Sequence, residues 1–268
     1  MSVESGEPLK SGGSELRTMP HVPPLVTLTL AIIVIASSYV LTFRSSALNG
    51  LGGQLVTPPI SLLMADGPGR LIGQVGFPLI SLGFGSCVPA LRQGLYQLLG
   101  KNDHKMVNYG ILAAKTAFVA LAVVGALPLQ RNIVEVMQGR AQMTFDSMIH
   151  QSAAAVFFLG AQAHMIIWII VTATVESSSP ISRASAPISF YFKVSCLVFS
   201  FFPLPAAFAL HPASPIRSRL NLTDNDAGGL QQYALVVCVA SFFASYTHEL
   251  ATFAKLQASP RAAPPKAD

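Results

Sequence analysis

Six runs of apolar residues, each near the length needed to cross a bilayer, constrain this chain more than any other feature. They cover about 24–43, 71–97, 108–129, 148–174, 188–211 and 230–254. A helix needs roughly 20 apolar residues to span the hydrocarbon. Lipid offers no partner for free backbone N–H and C=O groups, so a spanning segment must be helical or part of a closed barrel. The alternation of apolar and polar positions that a barrel strand requires is not visible. The expected fold is therefore all-α, a polytopic membrane protein built as a six transmembrane helix bundle. Composition agrees, with 51% hydrophobic and only 11% charged residues, where a soluble domain carries about a quarter charged. The second and fourth runs are long enough to tilt or to project beyond the bilayer.

Three regions follow from this pattern. Residues 1–22, rich in Ser, Gly and Glu, and residues 257–268, rich in Pro and Ala, are expected to be disordered cytosolic tails flanking a membrane domain over 23–256. The first apolar run follows a tail of mixed charge and continues to Phe43, which reads as a signal anchor rather than a cleaved signal peptide. Lys and Arg in short loops set orientation. With the N-terminus in the cytosol, nine basic residues fall on the cytosolic side and six on the other. Lys115 and Lys193 lie inside spans three and five, near their cytosolic ends, and snorkelling to that surface makes eleven against six. The sequon Asn221–Thr223 falls in the loop before span six, which this topology places in the lumen or outside the cell, making Asn221 a candidate for glycosylation. Both termini are expected in the cytosol.

Several function classes drop out. The net charge of +5 is dispersed, without the clustered, aromatic-interleaved basic patch of a nucleic-acid binder. The three cysteines, Cys87, Cys196 and Cys238, all lie within apolar runs and show neither metal-ligand spacing nor a disulfide framework. Neither a metal nor a cofactor is expected. Membrane lipids are the expected partners.

The informative residues are the polar ones inside the spans. Asp146 and His150 are four apart and share a helical face. His164 lies fourteen residues beyond His150 and returns to nearly the same face, about 21 Å along the axis. Ala153, Ala154, Gly160 and Ala161 lie near this stripe, and small residues with occasional polar ones are how membrane helices approach and hydrogen-bond to neighbours. The stripe is expected to face the bundle interior. Two roles compete for it. Asp146 and His150 form a candidate general acid–base pair, whereas Gln162 and His164 suit interhelical hydrogen bonds. Lys115 and Lys193 are candidates for an ion or proton pathway, with snorkelling as the alternative. Gly69 and Gly73 signal close packing at the start of span two, and Pro78, Pro89, Pro203 and Pro205 mark kinks. The loop segment "PPISLLM" from Pro58 to Met64 is apolar enough to lie against the end of the bundle.

Taken together, a "PPIS" segment before span two, an imidazole opening span four and a polar–aromatic pair opening span six resemble the DRAM (damage-regulated autophagy modulator) family. Its superfamily includes a Golgi factor for remodelling GPI-anchor lipids, and the resemblance covers nearly all of residues 22–256. The family's loop motif is Pro-x-Ile-Ser-Asp; Pro58, Pro59, Ile60 and Ser61 fit, but Leu62 replaces the acid. His150 is kept at span four while Gln151 and Ser152 depart, and Gln232–Tyr233 stand where the family has Glu-Trp. An amide keeps a hydrogen bond but cannot ionise. The resemblance thus implies a lumenal polar cluster of Ser61, His150, Gln151 and Gln232 that braces helices. It also implies a role without catalysis in lipid organisation, membrane trafficking or autophagy modulation. A lipid-remodelling enzyme, or an essential subunit of one, and a small-solute transporter are the alternatives. The implied partners are lipids, other membrane proteins or a peripheral kinase, and the implied location is the Golgi or ER, the lysosome or the plasma membrane.

Overall fold

A computed structural model describes residues 23–44, 58–99, 104–137, 139–178, 187–202, 211, 213–219 and 224–258. Among these, every regular element is a helix. The long helices are α1 (Pro24–Arg44), α3 (Gly67–Leu99), α4 (His104–Ala126), α6 (Phe145–Ser178) and α9 (Asp224–Ala244), the last continuing past Ser245 into α10 (Tyr246–Ala258). Between them lie the short α2 (Ile60–Leu63), α5 (Ile133–Met137) and α8 (Pro215–Arg219), and the 14-residue α7 (Pro187–Ser200). The protein is an all-α helical bundle of the polytopic membrane type. Five helices are long and apolar enough to cross a membrane: 24–42, 67–96, 105–126, 145–174 and 226–254. Of the run expected as a span over 188–211, the described part forms α7, about 21 Å long at the α-helical rise. Residues 203–210 with Pro203 and Pro205, the sequon at Asn221, the expected tail over 1–22 and all of the expected tail over 257–268 except Gln257 and Ala258, which end α10, lie outside the described residues.

The helices alternate in direction, and small residues set how closely they approach. Gly69, Gly76 and Gly83 recur every seven residues along α3 and meet Thr42, Val34 and Thr27 of α1 in reverse order. A β-carbon on Gly76 or Gly83 would fall 2.5 Å from Val34 or Thr27 side-chain atoms. A seven-residue repeat keeps one seam facing its partner along a slightly crossed pair. Ser81 of α3 donates to the Phe118 carbonyl of α4 at 2.6 Å, which ties the next antiparallel pair. Gly160 of α6 lies against Ala113 and Ala117 of α4. In lipid there is little apolar driving force between helices, so this close packing and the interhelical hydrogen bonds carry the association. The outer faces are correspondingly apolar, with Leu82, Leu112, Leu159 and Val237 all more than 60% exposed.

One end of the bundle carries a cap. Ile60, Leu62, Leu63 and Met64, within the segment read as apolar enough to lie on the bundle, are all buried, as is Ala65 just beyond it. Leu62 and Ala65 pack with Leu129 and Ile133 near α5, while Ile60 and Met64 join the main core. Thr42 of α1 donates to the Leu63 carbonyl at 2.9 Å, and Arg70 donates to the Ala65 carbonyl at 3.1 Å. Gly67, at φ 62°, supplies the left-handed turn that lets the chain leave α2 and enter α3 at once. Thr144 caps α6, its hydroxyl accepting from the Ser147 amide at 3.4 Å. The exposed Arg131–Asp66 pair at 3.1 Å adds little, as such surface pairs do.

Candidate functional site

Polar side chains gather in two layers, one near each end of the bundle, with a cavity between them. The first layer lies under the cap. The Ile60 amide, one of the unsatisfied donors at the start of α2, is accepted by Gln232 Oε1 of α9 at 2.7 Å. Gln232 Nε2 donates to Ser61 Oγ at 3.3 Å. Ser61 and Gln232, 171 positions apart in sequence, are therefore direct neighbours.

His150 is 3% exposed, and its Nδ1 is 2.8 Å from the carbonyl of Leu127, just beyond the end of α4. A carbonyl only accepts, so Nδ1 carries the proton and Nε2 is a bare acceptor. That nitrogen is buried and has no partner among the described residues. Asp146 is exposed in the first turn of α6 and reaches neither ring nitrogen, so the acid–base pair is not assembled. Gln151 is exposed as well, outside the cluster with Ser61 and Gln232.

The second layer joins α4, α6, α7 and α10. His164 is 1% exposed, with Nδ1 2.7 Å from the Gly110 carbonyl and Nε2 bonded to the Tyr246 hydroxyl. By the same reasoning Nδ1 donates and Nε2 accepts from Tyr246. Lys193, also buried, does not snorkel to a surface; its ammonium is bonded to the Glu249 carboxylate and donates to Ser189 Oγ at 3.0 Å. It also lies 5.3 Å from the centre of the Tyr246 ring. Gln162 Nε2 donates to the Ser200 carbonyl at 3.1 Å, joining α6 to α7. Lys115, by contrast, is exposed on the outer face of α4. Sequence reasoning missed the pairing of Glu249 with Lys193, and missed Tyr246 and Trp168, whose ring centre lies 5.6 Å from that of His164. The usable signal was a lone acid and a lone base within two apolar helices, because lipid forces such charges to pair.

Replacing Tyr246 with Phe leaves His164 Nε2 buried without a donor. The expected cost is about 1–3 kcal/mol, read by unfolding of the detergent-solubilised protein. A change below about 0.5 kcal/mol would remove this bond from the account of stability.

Between the layers lies an apolar cavity of about 70 Å³, partly open to its surroundings. Helices α1, α3, α4, α6 and α9 wall it, and Ile60 and Ser61 of α2 with Gln232 stand at its capped end. Phe84, Phe118 and Phe243 line its other end, with ring centres 4.8–6.1 Å apart. His164 stacks on Phe243 behind them at 5.3 Å, so the second polar layer backs this floor. Among the described residues, Ser61 and Gln232 are the only polar ones in the lining, and none there is ionisable. Among the described residues no group of three or more His, Cys, Asp or Glu is placed to hold a metal ion. No family model, curated protein or solved structure matches the chain.

Proposed function

We propose that this protein handles lipid in an intracellular or plasma membrane, acting in lipid organisation or trafficking without chemistry of its own. The observation that carries the reading is the cavity, an apolar chamber inside a membrane bundle with one polar hydrogen-bonding pair at one end. Concave, mostly apolar sites with a few placed polar groups are the usual form of a ligand pocket. The DRAM resemblance points to the same class of role, and the expected topology puts the capped end on the lumenal side. A second reading, an intramembrane lipid-remodelling enzyme, is favoured by one feature, the unpartnered Nε2 of His150.

Lipidomics on cells lacking the protein, with wild-type and His150→Ala rescue at matched abundance, tests both. A defined lipid change restored by both forms is the expected result. Restoration by wild type alone moves the assignment to the enzyme, and an unchanged lipidome sinks the lipid reading.

A further inference from the structure

We infer that the cavity receives one acyl tail of an ester-linked lipid, with the ester carbonyl held at the mouth by Gln232 and Ser61. The inference rests on the lipid-handling reading and names its ligand. Hydrogen-bond accounting at the mouth carries the argument. Gln232 Oε1 is occupied by the Ile60 amide, and one Nε2 proton goes to Ser61 Oγ. The second Nε2 proton and the Ser61 hydroxyl proton remain, and both are donors. In an apolar mouth an unused donor is costly, so the site favours an acceptor. With no ionisable residue among the described lining residues, the site favours a neutral acceptor, as an ester carbonyl is and a carboxylate or phosphate is not.

The shape supplies the rest. From Gln232 to Phe243, α9 runs eleven residues along the cavity, about 16 Å from mouth to floor. The far end is closed by the three phenylalanines, each at most 5% exposed. A polar mouth and an apolar blind end match an amphiphile whose polar junction lies at one end of a long hydrocarbon. A tail in the bilayer is already out of water, so entering the cavity gains little from apolar burial. Selection therefore falls on the carbonyl at the mouth.

The test reconstitutes the full chain in nanodiscs of phosphatidylcholine carrying a diazirine near the end of one acyl tail. Peptide mapping after illumination then locates the cross-links. The expected result is labelling of inward residues such as Ile80, Phe157 and Val239, in addition to the outward Leu82 and Leu159. An ether-linked analogue without the carbonyl is expected to label the inward set about fivefold less, the ratio that one hydrogen bond supplies. Ala240→Phe, which fills the cavity, is expected to abolish inward labelling and leave outward labelling intact. Should Ala240→Phe fail to fold, Ser61→Ala removes one donor without adding bulk and is expected to narrow the ester-to-ether ratio. Outward labelling alone, equal labelling by ester and ether probes, or stronger inward labelling by a sterol probe would each overturn the inference. An unchanged cellular lipidome beside inward labelling would instead defeat the lipid-handling reading and leave the acyl site standing.

Discussion

Glu249→Ala is expected to destabilise the protein by about 3–5 kcal/mol, the cost of stripping the partner from a buried charge. The side chain of Lys193 is only 2% exposed and that of Glu249 only 17%. Once Glu249 is gone, the ammonium keeps the Ser189 hydroxyl and the faces of Tyr246 and Phe242, but no counter-charge. Removing both charges has a different consequence. Lys193→Met with Glu249→Leu leaves apolar groups of similar length among apolar neighbours, and such replacements of buried pairs are often neutral or stabilising. The double variant is therefore expected to recover most of the loss. A double-mutant cycle on the solubilised protein, followed by thermal or denaturant unfolding, reads this directly. If Glu249→Ala unfolds with wild type, the pair does not join α7 to α10. If the double variant is as damaged as the single, packing rather than charge explains the loss.

The same layer shows where sequence reading stops. Run length and composition are one-dimensional, and they located the five long helices because the bilayer imposes a minimum length on each. Helical period places His150 and His164 on one face, and both are buried. Asp146 shares that face by spacing but is exposed, because period gives direction around a helix and not where the neighbouring helix ends. Gln151, about 100° further round from His150, points out of the bundle. Lys193 and Glu249 lie 56 positions apart, and nothing local in the chain marks them as partners. Snorkelling was the local solution for Lys193, and an ion pair across helices replaced it. The glycines at 69, 76 and 83 stand at even spacing in the sequence, but which helix they face depends on the topology. The cavity was not legible at all, since its walls come from five helices and its mouth from a sixth segment.

Gly69→Leu is the second large effect expected, because its neighbour cannot give way. A β-carbon at Gly69 collides with the Leu63 backbone carbonyl, which is itself the acceptor for Thr42 Oγ1, and lies 2.6 Å from that hydroxyl. Where the obstacle is a flexible side chain, overpacking is relieved by a rotamer change; here relief requires α2 to move. The expected loss is about 3 kcal/mol, the upper end of overpacking costs. Gly85 provides the contrast on the same helix, since its nearest foreign atom is Phe118 Cδ2 at 3.8 Å, an ordinary contact. Gly85→Ala is expected to stabilise α3 by about 0.5–1 kcal/mol through backbone entropy, the opposite sign. Because α2 carries Ile60 and Ser61, lifting it also widens the cavity at its Ser61–Gln232 end. A cysteine placed by Ser61→Cys is expected to react slowly with a membrane-impermeant maleimide in the parent protein and faster in the Gly69→Leu background. Equal stability and equal reactivity in the two backgrounds would mean that α2 is not held against α1 and α3 as the Thr42–Leu63 bond requires. Faster reactivity with unchanged stability would instead make α2 a cap that lifts without unsettling the helices beneath it.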